Sequence, residues 1–185
     1  QWYLCPDIIT RIIFTFHIPV LFIISGYFLE IKNIQQTLLY TFRTLMIPYF
    51  ITCAVIIAIM AVRIFFTGSG FTESFHELLL WVWAAFYGSG VDYFTPAYIR
   101  MIGSLCFLPA LFFAVNITHL CLRTRYAVIG IVLTALAGFA TSRIFWLPYS
   151  IQTAMTGTIF VFCGFMLREK NILARLKEAP FIPAV

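Results

Sequence analysis

Charge is what this sequence has least of. Charged residues make up 10% of the 185, with only seven acids and three histidines, where a water-soluble domain carries about 25%. A soluble globular reading is excluded on that ground. Metal and disulfide patterns are also missing. Of the five cysteines, Cys53, Cys106 and Cys163 fall inside apolar runs, Cys121 closes one, and Cys5 stands alone. Without a CxxC pair or an even extracytoplasmic set, neither a disulfide framework nor a zinc site is indicated, and small buried hydrophobes are the reading they support. His76-Glu77 is followed by Leu80 where a zinc-binding HExxH would place its second histidine. Neither Gly-Ser-Gly forms a GxSxG elbow or a GxGxxG loop. There is no internal repeat, no low-complexity tract, no second domain and no cleavable signal peptide.

What is present is apolar mass. The chain is 62% hydrophobic and 18% aromatic, with 21 phenylalanines, and its mean hydropathy is +0.98. These values predict an integral membrane protein of the all-α class, a polytopic bundle in one domain. A bilayer core of about 30 Å takes about 20 helical residues. Five crossing segments answer to that, near residues 12–29, 45–66, 102–121, 126–146 and 150–167, with a polar loop through Gln35, Gln36 and Arg43. Pro48 falls in the first turn of its segment, where a missing N–H does no harm. Ser74 and Glu77 have capping-box spacing ahead of a shorter helix that ends by Gly88. At about 20 Å it is too short to cross and reads as interfacial or re-entrant.

Basic residues set an orientation. One side collects Lys32, Arg43, Arg123, Arg125, Arg168, Lys170, Arg175 and Lys177; the other collects Arg11, Arg63, Arg100 and Arg143. The richer side, which includes the C-terminus, is expected in the cytoplasm. The net charge of +5 sits at span ends rather than on one solvated face, so it does not indicate nucleic acid.

One stretch stands out, residues 16–29, FHIPVLFIISGYFL. A histidine at lipid depth is a functional-site hypothesis because burying it is costly. Pro19 leaves the carbonyl of Thr15 without its helical donor. Ser25 and Gly26 allow close approach of a neighbouring helix or ligand. Phe16-His17-x-Pro19 followed by Ser25-Gly26-Tyr27-Phe28 resembles the second-span motif of the membrane acyltransferase-3 family, in its fucose 4-O-acetylase-like branch. Three further runs resemble that family in the same order: Arg43-Thr44-Leu45-Met46-Ile47-Pro48-Tyr49; Phe107-Leu108-Pro109-Ala110-Leu111-Phe112; and Leu147-Pro148-Tyr149-Ser150-Ile151-Gln152-Thr153-Ala154 with Phe162-Cys163-Gly164. Cys106 departs from it, standing where the family commonly has tryptophan.

The resemblance implies a membrane O-acyltransferase that moves an acetyl or similar short acyl group from acyl-CoA, as co-substrate rather than resident cofactor, to a hydroxyl of a cell-surface or lipid-linked carbohydrate. A bacterial inner membrane is the implied site. It also implies further spans and an upstream catalytic histidine, so that this chain is a fragment, inactive alone, with His17 in a helper role. Such chemistry needs a base, oxyanion donors and cations for phosphates. His17 is the candidate base or donor; its alternative is a hydrogen bond that orders the bundle. Ser25 lies about 80° round and about 12 Å along the helix from it, so the two cannot pair directly. Arg43 is the candidate for acyl-CoA phosphate, or a membrane anchor. Ser25, Tyr27, Gln152 and Arg143 are candidate substrate contacts. Against these stand close packing for Ser25, polar-backbone capping for Gln152 and snorkelling for Arg143. Asn116 is expected to hydrogen-bond another helix, and His119 to be interfacial. A transporter or permease for a small or lipid-linked solute, and a purely structural subunit, are the rival readings. The acceptor and the oligomeric state are left open.

Overall fold

A computed structural model describes residues 6–31, 33–67, 71–88, 98, 103–142, 144 and 147–170. Every regular element among them is helical. In chain order these are α1 (Pro6–Tyr27), α2 (Ile34–Thr41), α3 (Ile47–Thr67), α4 (Phe71–Tyr87), α5 (Phe107–Leu122), α6 (Ala127–Thr141) and α7 (Ile151–Glu169). A π turn, Phe42–Met46, joins α2 to α3 without a break. Short 3₁₀ turns, Gly103–Cys106 and Pro148–Ser150, lead into α5 and α7.

Two helices are long and apolar enough to cross a bilayer: Ile34–Ile64, with mean hydropathy 2.5, and Pro148–Glu169, with 1.5. Phe16–Tyr27, Phe107–Leu122 and Ala127–Thr141 are apolar but shorter. At 1.5 Å per residue α5 and α6 reach only about 24 and 22 Å.

α7 is the hub. It packs against α1, α5 and α6, and glycines set how closely. A Cβ on Gly26 would meet the carbonyl of Val161; one on Gly164 would meet the carbonyl of Ile23; Gly157 lies under the Phe22 ring. Backbone therefore touches backbone along this parallel α1–α7 seam, as small residues at a helix interface permit. Gly26 thus has the close-packing role the sequence suggests. At the seam's end the Arg168 guanidinium donates to the carbonyl of Leu29 at 3.2 Å, satisfying an acceptor just beyond the α1 terminus.

α5 is buried from Pro109 to His119. His119, expected to be interfacial, has no exposed surface. It shares an i, i+4 ridge with Val115 and Leu111, so the helix turns it inward. Asn116 bridges helices as expected, its amide donating to Thr41 Oγ1 at 3.0 Å and to the carbonyl of Phe112 at 2.7 Å.

The structure corrects the polar loop. Residues 34–43 are helical, α2 running straight into the π turn. Thr37 and Thr41 are buried while Leu38, Leu39 and Tyr40 are exposed. Thr37 and Thr41 therefore mark an inward face of the helix, while Gln35, Gln36 and Arg43 are exposed. α4, at 17 residues, is longer than expected at about 25 Å. It doubles back along α3, bringing Ala85 to Tyr49. Arg143, the turn at 68–70, the loop from 89, Lys32 and the tail from 171 lie outside the described residues.

Candidate functional site

A half-open cavity of about 700 Å³ lies where the end of α1 faces α2, the π turn and α5. α1 and the residues after it supply Ile24, Ser25, Phe28, Leu29 and Glu30; α2 supplies Gln36, Thr37, Tyr40 and Thr41; the π turn supplies Thr44 and Leu45; α5 supplies Leu111 and Val115. The walls are largely apolar, interrupted by a stripe of hydroxyls and an amide from α2 and the π turn and, on the α1 side, by Ser25 and Glu30.

Helical spacing builds that stripe. Gln36, Tyr40 and Thr44 recur every fourth residue, and Thr37 and Thr41 flank them, so all five project to one side. The π turn matters here. The N–H of Ile47 reaches back to the carbonyl of Phe42, an i→i+5 bond. The inserted residue widens the helix beside the cavity, a feature that tends to accompany functional sites. Behind the stripe a polar ladder holds α2 to α5. Thr41 Oγ1 accepts from Asn116 and donates to the carbonyl of Thr37 at 2.8 Å, and Thr37 Oγ1 donates to that of Asn33 at 3.3 Å. Outside this ladder the cavity carries the hydroxyl of Ser25 on one wall and those of Tyr40 and Thr44 on the other.

Among the described residues, Ser25 is the one sequence candidate that lines the cavity. Arg43 is exposed in the π turn, one residue before Thr44. Tyr27 is half-buried beside the α1–α7 seam, its ring edge-on to Phe28 at 5.4 Å. His17 is exposed beside Phe16 and Val20. Nine residues separate it from Gly26, and nine helical steps of about 100° place it on the face of α1 turned away from α7. Gln152 is buried at the opposite end of α7, twelve residues or about 18 Å from Gly164. Its Oε1 accepts from the N–H of Leu147 at 2.8 Å, the capping alternative named for it. The structure therefore brings Ser25 near the π turn that carries Arg43, and leaves His17 and Gln152 apart from them. Among the described residues no three or more metal-ligating side chains gather.

Sequence reasoning missed Gln36, Thr37, Tyr40, Thr41 and Thr44. The signal was the four-residue recurrence of polar side chains between exposed Leu38 and Leu39, which a loop has no reason to show. No family model, curated protein or solved structure matches the chain.

Proposed function

We propose that this chain belongs to a membrane O-acyltransferase that moves an acetyl or short acyl group from acyl-CoA to a hydroxyl of a cell-surface or lipid-linked carbohydrate. One observation carries the reading: a half-open cavity lined by Gln36, Thr37, Tyr40, Thr41 and Thr44, with Thr37 and Thr41 buried in its wall while leucines on the same helix face out. That inversion suits a helix whose surroundings are lipid and whose interior meets a polar ligand. An amphipathic lining suits a ligand with both hydroxyls and an apolar part. Four sequence runs in the order of the acyltransferase-3 motifs add support, and three of them supply residues here: Ser25, Thr44 and Leu45, and Leu111.

In this account five helical segments cross the membrane and α4 re-enters it, with the cavity at the cytoplasmic end. The helix directions agree with the charge count. α1, α5 and α7 run one way and α2–α3 and α6 the other, so Glu30, Arg123 and Arg168 share an end.

The reaction forms a C–O bond between acceptor hydroxyl and acyl carbon and breaks the C–S bond of the thioester. A base takes the hydroxyl proton, and the departing thiolate of CoA is protonated. Tetrahedral oxyanion charge needs donors, and the hydroxyls of Ser25 and Thr44 face the space where it would form. Arg43, exposed and one residue from Thr44, is the candidate for the phosphates of acyl-CoA. The base is expected from the upstream span that the resemblance implies; His17, about 12 Å along α1 from Ser25, is the candidate helper that tunes that base or binds substrate outside the cavity.

The test uses membranes containing the full-length protein, labelled acetyl-CoA and an added glycan acceptor. The expected result is label in the glycan with stoichiometric release of free CoA thiol. His17→Ala at unchanged expression is expected to abolish it. Full activity in that variant would remove His17 from the mechanism, and no transfer by the wild type would remove the enzyme. Solute movement without acyl-CoA would favour a permease.

A further inference from the structure

A second cluster of polar side chains lies away from the cavity, at the start of α7. Tyr49, fully buried on α3, donates its hydroxyl to the carbonyl of Ala85 at 2.5 Å. Ser150, equally buried, donates to the carbonyl of Gly88 at 2.5 Å. Both acceptors belong to the C-terminal end of α4. Each hydroxyl is thus directed onto backbone, the arrangement of a fastening rather than of a reacting group. Such end carbonyls have no helical partner of their own.

Three features say the fastening holds a movable part. α4 packs chiefly on α3 and the Pro148–Ser150 turn rather than on the α1, α5, α6 and α7 bundle. Its side chains Phe75, Leu79, Val82, Trp83 and Phe86 are exposed, with Ala84 and Gly88 buried at the fastened end. An element with few buried contacts sits at the low end of local stability. The receiving turn is also strained. Tyr149 and Ser150 both adopt left-handed backbone, φ 57° and 51°, a strain that non-glycine residues keep only where their surroundings impose it. Here they do: Tyr149 packs edge-on against Phe86 at 5.2 Å, and its backbone lies over Gly88.

We infer that α4 is a gate, shut in this structure, fastened by Tyr49 and Ser150 and lifting as a unit from α3. Beneath it lie Tyr49, Cys53 and Cys106, with Gln152 two residues beyond Ser150. Opening breaks two hydrogen bonds and releases the strained turn, so the two states differ by little. The inference stands apart from acyl transfer and holds for any ligand that enters at this end.

The test is hydrogen–deuterium exchange on the full-length protein in lipid nanodiscs, with alkylation of Cys53 by N-ethylmaleimide after serine replaces the other cysteines. Cys53 is 4% exposed, so its labelling reports the lifting of α4. Tyr49→Phe and Ser150→Ala are each expected to speed exchange across 75–88 about five-fold, with the factors multiplying in the double variant. Cys53 labelling should rise by the same factors while α5, α6 and α7 stay protected. Gly88→Ala strains a residue at φ +57° and brings a Cβ 3.0 Å from the Tyr49 hydroxyl, so it should match the double variant. Unchanged exchange at 75–88 overturns the gate, and so does faster exchange without faster Cys53 labelling. Equal acceleration throughout the bundle would show general loss of packing instead, and would overturn it as well.

Discussion

Gly26 and Gly164 have no side chains, and the α1–α7 seam depends on that. An added methyl at either position meets a backbone carbonyl of the other helix, which cannot rotate aside as a side chain does. Gly26→Ala or Gly164→Ala is therefore expected to cost about 3 kcal/mol, the upper part of the overpacking range, measured by unfolding in mild detergent. Gly130 gives the contrast. Its added methyl would meet only Cys121 Sγ, at 3.4 Å, so Gly130→Ala should change stability by less than about 1 kcal/mol. Asn116 is the polar counterpart. Thr41→Val removes the oxygen its amide reaches at nearly constant volume, and should cost about 1 kcal/mol, the scale of interhelical bonds in membranes. A Thr41→Val protein as stable as the wild type would show that Asn116 does not tie α2 to α5.

At the scale of elements, the continuous helix from α2 through the π turn to α3 does the most positioning. Below the π turn Thr41 meets Asn116; above it Tyr49 meets Ala85. One inserted residue sets the rotation between these contacts. Deleting Thr44 would turn everything beyond it by about 100°. The expected outcome is a protein that keeps the α2–α5 contact but loses the Tyr49 bond, seen as exchange protection retained in α5 and lost at the end of α4. Protection retained in both would show that the π turn sets no register. This helix also shows where sequence reading stopped. The long apolar runs of α1, α3, α5, α6 and α7 were legible because hydropathy alone marks them. Ser74 and Glu77 marked the start of α4 to within a few residues. Residues 34–43 were not legible as helix, because Gln35, Gln36 and Thr37 look like solvent-facing loop when water is assumed outside. Gln36 and Thr37 line a cavity instead. Of the candidate site, Ser25 was legible from its place in an apolar run, and Arg43 from its motif. The threonines of α2 were hidden by the same assumption. The separation of Gln152 from Ser25 depends on the length of α7 and its pairing with α1, which no local pattern encodes.

For the whole molecule, the distribution of exposed apolar side chains governs. Phe16, Val20, Ile24 and Phe28 line one face of α1; Ile51, Val55, Ile59, Val62 and Phe66 lie along α3; Val128, Val132, Leu136 and Phe139 lie along α6. Water would be a costly neighbour for these surfaces, at about 25 cal/mol per Å². The protein is therefore expected to stay with membranes after alkaline carbonate extraction, and release into the soluble fraction would contradict the bundle placed in lipid. Within that setting the hydroxyl-lined cavity between α1, α2 and α5 is the proposed place of acyl transfer. The most direct measurement is transfer of label from acetyl-CoA to a glycan by full-length protein carrying Thr44→Phe, which fills the cavity from the π turn. The account predicts at least about a ten-fold loss at unchanged expression and folding, a barrier rise of roughly 1.4 kcal/mol. Transfer at the wild-type rate with the cavity filled would contradict it.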